Sequence, residues 1–283
     1  MTLEQIEALV QRGNFVEAID ALYELTSGDA PGPGHLLQQF HLEARLQRFS
    51  AAQQTLERLL PLVPDAAPAM TALGRTTRAE WFATERLTDS EKAMSRSGIG
   101  APPPHAVGYV QATVMHAQEQ YSEVATLLKK LKAEAPPTPG VLRFRDGRTA
   151  KFARVADADD LTGPILPIYH GEDVLDIAFS QLASIEMLER RASFDFWWMP
   201  VELTLRDGQT FRARYAALYP GSGIAPDPAA RMGQTTMWNH SLGYARALGQ
   251  RDLSFTKPEG GAILVGVMQL ARIDFDPVAQ AQA

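Results

Sequence analysis

Three closely spaced aspartates are the first group of residues that could do chemistry. Asp157, Asp159 and Asp160 place three carboxylates within four positions, and hard cations such as Ca²⁺ are bound by several carboxylate oxygens. The segment lacks the ligand spacing and the glycine of a calcium-binding loop. Because aspartates in turns also accept hydrogen bonds from nearby backbone N–H groups, we favour a structural turn and expect no metal or cofactor.

The histidines do not form a recognisable catalytic or metal-binding pattern. A zinc hydrolase helix carries two histidines four positions apart with a glutamate next to the first, and no two histidines of this chain have that spacing. We therefore expect each to be an isolated surface or core residue. The six are His35, His41, His105, His116, His170 and His240.

Ser222 is the most plausible nucleophile in the sequence, since it lies in a glycine-rich loop. A nucleophile elbow has a glycine two positions before its serine, where this chain has Pro220. The segment 221–223 is not followed by a helix start that carries a phosphate-binding lysine either. Serine catalysis is therefore the disfavoured interpretation of this loop.

Aromatic residues cluster in the second half of the chain. Trp197 and Trp198 are adjacent, and Tyr219 and Trp238 follow. Alternation along a strand would turn Trp197 and Trp198 to opposite faces. We predict that one belongs to the core and that the other meets a neighbouring element or a partner, since aromatic residues are enriched at interface hot spots.

The elements that position these residues differ between the two halves, and the first half has the pattern of paired helices. Apolar residues recur three and four positions apart from Leu3 onward, as one helical face requires. Phe49 follows Phe15 by 34 positions (49 − 15), which is the period of tetratricopeptide (TPR) hairpins. Tyr121 begins a later copy. We predict a TPR-like helical-repeat domain over residues 1–136, with an irregular helical bundle as the alternative.

The second half has the pattern of strands. Beyond the proline-rich segment 136–140 the apolar period becomes two, and the near copies Arg145–Thr149 and Arg206–Thr210 contain the Asp-Gly pair of tight hairpins. Short strands without long intervening helices favour an antiparallel sheet. We predict an α+β domain over residues 140–283, with a curved or barrel-like antiparallel sheet and one helix near 235–248.

Composition limits the function classes. Of the 283 residues, 45% are hydrophobic and 21% are charged, as in globular proteins. The net charge of -6 argues against nucleic-acid binding, which needs clustered lysine and arginine. Cysteine is absent, which excludes thiolate metal sites, cysteine nucleophiles and disulfides. A start without a secretory pattern and the lack of long apolar runs predict a cytoplasmic protein that does not bind membranes.

A series of short motifs follows one another in the second half of the chain. They are Asp157–Pro164, Trp198–Pro200, Arg206–Gly208, Ala217–Ser222, Arg231–Trp238 and Gly249–Arg251. Their order, over roughly residues 140–272, resembles the ImpE/TagJ family, also called SciE-type, whose members are accessory proteins of bacterial type VI secretion systems. Gln234 and Met237 stand where the family's loop typically has arginine and aspartate, so we expect no ion pair in that loop.

This resemblance implies a non-enzymatic cytoplasmic adaptor that needs no cofactor. It implies binding to the N-terminal helix of the small sheath subunit, and a link from the sheath to its recycling AAA+ ATPase, ClpV. A helical-repeat surface or a sheet groove can accept an amphipathic helix through regularly spaced apolar anchors. The residues proposed for structure or partner binding are Asp157, Asp159, Asp160, Trp198, Tyr219, Pro220, Gly221, Ser222, Gly233, Thr235 and Trp238.

Two other functions remain open at the level of sequence. A hydrolase or small-ligand-binding domain could use the loops Tyr219–Ser222 and Gly233–Trp238. A hydrogen bond between Ser222 and His240 or His170 in a closed pocket would favour that function, whereas an open apolar groove would favour the adaptor. A repeat-protein chaperone for some other partner is the third hypothesis.

Overall fold

Helices fill the first part of the chain in the computed structural model, which describes residues 2–28, 31–95, 98–99 and 101–277. A short ninth helix lies within the strand-rich part, and no helix of the described residues is long and apolar enough to cross a membrane. The α-helices are α1 (Leu3–Gln11), α2 (Phe15–Thr26), α3 (Pro33–Arg45), α4 (Phe49–Leu59), α5 (Ala67–Glu85), α6 (Ser90–Met94), α7 (Pro104–Ala117), α8 (Tyr121–Glu134) and α9 (Pro228–Arg231).

One helix–turn–helix connection recurs three times in the helical half, residues 2–134. An aromatic residue opens the second helix of each pair, namely Phe15, Phe49 and Tyr121. The residue two positions earlier has a positive φ angle in each turn, namely Gly13, Gln47 and Glu119. The residue between them has φ of -82° or -83° and ψ of 55° to 59° in all three turns. Phe15 and Phe49 therefore occupy equivalent positions in two copies of the same turn.

Strands form the second part, which we call the sheet half, residues 138–277. They are β1 (Gly140–Phe144), β2 (Thr149–Phe152), β3 (Arg154–Asp157), β4 (Ile165–His170), β5 (Asp173–Ala178), β6 (Leu182–Met187), β7 (Trp198–Leu205), β8 (Thr210–Ala216), β9 (Thr236–Asn239), β10 (Arg246–Gly249), β11 (Asp252–Thr256), β12 (Ala262–Gly266) and β13 (Leu270–Phe275).

All strand pairs are antiparallel, which confirms the predicted α+β class. Eight strands form one sheet in the order β2-β1-β13-β6-β7-β8-β4-β5. This sheet is open, with β2 and β5 at its edges, so of the two shapes predicted the closed barrel does not occur. A three-stranded sheet has the order β12-β11-β3, and β9 pairs with β10.

The two Asp-Gly turns fold as the sequence predicts. β1 pairs with β2 and β7 with β8, and the turn glycines Gly147 and Gly208 have φ angles of 88° and 89°. A residue with a Cβ atom rarely adopts this backbone conformation. Glycine at these two positions therefore fixes the register of both hairpins.

The predicted helix near 235–248 is wrong, because this segment forms the β9–β10 hairpin. Gly243 has a φ of 83° in the connection between the strands, which interrupts a helix. Thr236 and Trp238 are β-branched and aromatic residues, and such residues favour strands.

Both faces of the eight-stranded sheet take part in packed cores, the second face over only four of its strands. On one face, Ile168 of β4 and Phe255 of β11 belong to a core that lies between the two larger sheets. On the other face, Tyr169 and Trp198 pack with residues of α3, α4 and α5. Neighbouring strand residues point to opposite faces of a sheet. The second face of β4, β5, β7 and β8 is therefore the surface on which the helical half packs.

Candidate functional site

The three aspartates of the acidic segment pair with three different basic residues and do not converge on one point. Backbone N–H groups of Asp159 and Leu161 also donate to the carboxylates of Asp157 and Asp159, at 2.9 and 3.0 Å. Among the described residues no group of three potential ligands could hold a metal ion, and the hydrogen bonds agree with a structural turn. The ion pairs are Asp157–Arg251, Asp159–Arg246 and Asp160–Lys132, at 2.6, 2.8 and 2.5 Å.

Arg251 is the centre of a buried polar cluster. Its Nη1 donates to Asp157 Oδ2 and its Nε donates to the backbone oxygen of Ala216 at 3.1 Å. The guanidinium lies 5.4 Å from the ring of Tyr215 and 4.8 Å from that of Tyr219, whose hydroxyl donates to Asp157 Oδ1 at 3.0 Å. Burial lowers the pKa of Arg251, but Asp157 and the tyrosines outweigh it and hold the pKa above its usual range. The guanidinium therefore stays charged.

Ser222 is a buried structural hydroxyl. Its Oγ donates to the backbone oxygen of Tyr219 at 2.6 Å and accepts from the backbone N–H of Gly249 at 2.7 Å. His170 contacts the backbone oxygen of Arg212, and neither it nor His240 bonds to the serine among the described residues. The geometry gives Ser222 no base, so the condition that would favour the hydrolase is not met.

The loop that carries Ser222 is packed against the helical half. A Cβ atom at Gly223 would overlap the backbone oxygen of Arg45 at the end of α3. Farther along, Arg231 Nε donates to the backbone oxygen of Gly13 at 2.7 Å, and Arg231 Nη1 donates to that of Ala225 at 2.6 Å. One of the three repeated turns is therefore bonded directly to the sheet half.

A second polar group lies at this junction. Trp198 Nε1 donates to Glu80 Oε2, and the Arg45 guanidinium lies over the ring of Trp197. Arg45 Nη2 donates to the backbone oxygen of Arg231, whereas Arg45 Nε and Nη1 have no hydrogen-bond partner among the described residues. Burial raises the pKa of Glu80 to about 7, against the lowering effects of the Trp198 N–H and of Arg45. Burial lowers the pKa of Arg45 to about 9.

The two adjacent tryptophans both lie at this junction. Trp198 is 4% exposed and belongs to the core shared with the helices, whereas Trp197 is half-buried beneath Arg45. Trp198 is thus the core residue of the predicted pair, and Trp197 is the one that meets a neighbouring element.

His116 connects α7 to the hairpin of β9 and β10. Its Nδ1 lies 2.5 Å from the Tyr244 hydroxyl and its Nε2 lies 3.0 Å from Arg246 Nη1. Burial, followed by the nearby Arg246 charge, lowers the pKa of His116 to about 4. The imidazole is therefore neutral near pH 7 and accepts a hydrogen bond from Arg246.

The remaining predicted site residues lie in connections beside these clusters. Gly233, with φ of 68°, precedes β9, and the backbone oxygen of Thr235 accepts from the backbone N–H of Gln250 at 3.0 Å. The Trp238 ring lies 6.4 Å from that of Tyr219. Gly221, with φ of 86°, and Pro220 belong to the loop of Ser222, and Pro220 lines a cavity of about 70 Å³.

An open cleft of about 490 Å³ lies between the outer face of the three-stranded sheet and the ends of α7 and α8. It is lined by Ser254 of β11, Leu264 of β12, Lys132 of α8 and Trp238 of β9, among others. Leu264 is 56% exposed. Of the residues predicted from the sequence, Asp157, Asp160 and Trp238 line this cleft.

Sequence reasoning missed several residues that hold these clusters together. Arg251 lies in one of the family motifs, and three aspartates in a globular chain require basic partners, so the acidic segment was a usable signal for Arg246 and Arg251. No motif pointed to Glu80 or Arg45, because their contacts with Trp198, Trp197 and Arg231 form only when the helical half docks on the sheet half.

Similarity to known proteins extends over almost the whole chain. The fold is shared with the crystal structure of protein VPA1032 from Vibrio parahaemolyticus, with a TM-score of 0.80, 16% identity and coverage of 97% of this chain and 98% of that one. The sequence is 28% identical over 272 residues to the type VI secretion system accessory component TagJ of Pseudomonas aeruginosa, covering 96% of this chain and 91% of that protein. Residues 149–277 match the family model described as ImpE protein. These matches confirm the resemblance to the ImpE/TagJ family that was found in the motif order.

Proposed function

We propose that this chain is a cytoplasmic accessory adaptor of a bacterial type VI secretion system and that it acts by binding, without catalysis. It binds the N-terminal helix of the small sheath subunit and connects the sheath to the recycling ATPase ClpV. Similarity to the TagJ accessory component over 96% of the chain supports the assignment to the secretion system.

The observation that carries the adaptor role is that residues in and beside the matching motifs pack the two halves of the molecule together. Gly223 and Arg231 hold the loop of the sheet half against the helical half. Among the described residues Ser222 bonds only to backbone groups of the sheet half, so the motif that most resembled a catalytic loop fixes the shape of the loop that packs on the helices. Such a joint fits a scaffold whose surfaces must keep a fixed geometry.

Joining two binding surfaces in one rigid chain has a simple physical use. When one surface holds the sheath subunit, an ATPase bound to the second surface meets the sheath at a raised effective concentration. The helical half offers the surfaces of paired helices, and the sheet half offers the cleft beside the three-stranded sheet.

The test is a calorimetric titration of the full chain with a synthetic peptide. The peptide carries the N-terminal helix of the small sheath subunit from the same organism, and a scrambled peptide of equal composition is the control. We expect saturable binding of the native peptide alone, and co-purification of ClpV with a complex of chain and sheath subunit. Absence of binding to every sheath peptide from that organism would overturn the proposal.

A further inference from the structure

Two arginines lie close together where β1 and β6 end and β13 begins. The backbone N–H of Arg145, just after β1, donates to the backbone oxygen of Gln269 at 2.9 Å, and its Nε donates to that of Met268 at 3.2 Å. Arg190 follows β6, which pairs with β13 on the side opposite β1. Partial burial, followed by the nearby charge of Arg190, lowers the pKa of Arg145. The end of the sheet therefore holds two neighbouring positive charges.

These two charges are not matched by carboxylates. Arg145 and Arg190 have no ion-pair partner in the part of the chain that the structure describes. The Arg190 guanidinium lies 4.6 Å from the ring of Phe196, which is 48% exposed. We call Arg145, Arg190 and Phe196 the arginine patch. The arginines beside it are paired locally, namely Arg148 with Asp146 and Arg191 with Glu189.

The composition of the arginine patch defines the surface that it can bind. Guanidinium groups form their strongest hydrogen bonds with carboxylates and phosphates, and arginine and aromatic residues are enriched at protein interfaces. Nucleic acid is disfavoured, because two arginines in a chain with a net charge of -6 cannot neutralise many phosphates. The partner surface should therefore be that of a protein, with carboxylates around an apolar side chain.

The outer side of α2 has this composition. Glu17, Asp20 and Glu24 are exposed and have no ion-pair partner among the described residues, and Val16 beside them is 53% exposed. With 3.6 residues per turn, these four positions lie within about 100° of arc around the helix. We call them the acidic side of α2. The chain thus carries an unmatched basic surface in its sheet half and an unmatched acidic surface in its helical half.

We propose that the arginine patch of one copy of this chain binds the acidic side of α2 of a second copy. Arg145 and Arg190 pair with the carboxylates of α2, and Phe196 packs against Val16. Because the two surfaces differ, each copy offers one of each. This contact goes beyond the proposed function, since it joins the chain to itself and needs neither the sheath subunit nor the ATPase.

The first experiment is sedimentation equilibrium of the full chain over a series of concentrations. It compares about 0.01 M salt, where the Debye length is about 30 Å, with about 1 M salt, where it is about 3 Å. We expect the average mass to rise above that of one chain with concentration at low salt and to return to that of one chain at high salt. A chain that stays monomeric at low salt overturns the proposal, whatever other acidic ligand the arginines bind.

Charge reversal then identifies the two surfaces. One variant combines Arg145→Glu with Arg190→Glu, and the other combines Glu17→Lys with Asp20→Lys. We expect self-association of each variant alone to weaken at least about tenfold, because like charges then face each other. An equimolar mixture should recover association, since the native α2 of the first variant meets the native arginine patch of the second. The lysine variant moves the net charge toward zero, which by itself favours association, so general repulsion does not explain its loss.

The matched control combines Arg75→Glu with Lys129→Glu. Both residues are exposed, and the pair changes the net charge as much as reversal of the arginine patch does. We expect its self-association to stay within about twofold of that of the native chain, and circular dichroism checks that each variant is folded. Native-like association of the reversed patch, or a mixture that fails to recover, overturns the proposal. Should a double variant not fold, the single substitutions Arg190→Glu and Asp20→Lys replace it.

Discussion

Two buried polar groups flank the Tyr219 loop, and they differ in how completely their charges are satisfied. In the Arg251 cluster (Arg251, Asp157 and Tyr219), each charged group has several partners. In the Arg45–Glu80 pair, two guanidinium nitrogens have no hydrogen-bond partner among the described residues. The first group lies within the sheet half, whereas the second forms where α3 and α5 meet it. The charges within the sheet half are thus matched, although the neighbouring Tyr215 hydroxyl has no partner among the described residues, whereas the charge of Arg45 at the junction is only partly matched.

The largest expected effect comes from the Arg251 cluster. Arg251→Met removes one partner of a buried ion pair and leaves the buried Asp157 carboxylate without its cation. We expect a loss of about 3–5 kcal/mol in the free energy of unfolding, measured by urea denaturation at pH 7. The double variant with Asp157→Asn should recover part of this loss, because it removes the unpaired charge. A loss below about 1 kcal/mol would show that the cluster is as dispensable as a surface pair.

The next effect is the pH dependence of the Arg45–Glu80 pair. The pKa of Glu80 is about 7 in the folded protein, whereas the ordinary pKa of a glutamate is 4.5, so the folded state binds more protons than the unfolded state between these values. The stability from this group is fully present below pH 4.5 and is lost as the pH rises through 7. With solvent screening at the junction, we expect a loss on the order of 2 kcal/mol.

Glu80→Gln tests this dependence, because the amide is neutral at every pH and still accepts from Trp198. Urea denaturation at pH 5, 6, 7 and 8 should show a flatter stability profile for the variant than for the native chain. Glu24→Gln is the control, because Glu24 is exposed on α2, and its profile should follow that of the native chain. Parallel profiles for Glu80→Gln and the native chain would contradict a raised pKa.

A smaller effect is expected at Ser222, which lies between the two groups. Ser222→Ala leaves the backbone N–H of Gly249 without its acceptor, and a buried unpaired donor costs about 1–2 kcal/mol. Thermal denaturation followed by circular dichroism measures the change. Ser241→Ala, at an exposed position, is the control. No change at Ser222 would indicate that water replaces the hydroxyl and that the loop is looser than its hydrogen bonds imply.

The same distinction, between contacts within one half and contacts between the two halves, decides what the sequence could predict. Helix pairs, hairpins and the α+β class follow from local patterns such as Phe15 to Phe49 and the Asp-Gly turns. The acidic turn was predictable because aspartates at 157 and 159 bond their own backbone.

Contacts between distant elements were not predictable in the same way. Glu80 and Trp198 are far apart in the sequence and meet only when the second face of the sheet receives α5. In the segment 235–248, Gly243, Thr236 and Trp238 were local signals against a helix, but the partner of each strand is fixed only by the pairing of β9 with β10.

The smallest predicted effect is a gain in stability at the repeated turns. Glu119 is exposed and has a φ of 61°, a conformation that costs a non-glycine residue about 1 kcal/mol. Glu119→Gly should therefore stabilise the protein by up to about 1 kcal/mol, and Glu119→Ala, the control, should not. Urea denaturation should be followed both by circular dichroism, which reports mainly on the helices, and by tryptophan fluorescence in a Trp81→Phe background, which leaves Trp197, Trp198 and Trp238 of the sheet half as the reporters.

If the junction couples the two halves, both signals shift to the same higher urea concentration in Glu119→Gly, as expected of one cooperative unit. A shift of the circular dichroism signal alone would show that the helical half unfolds independently. In that case the incomplete pairing of Arg45 would reflect a weak interface, and the scaffold would not keep its surfaces in a fixed geometry.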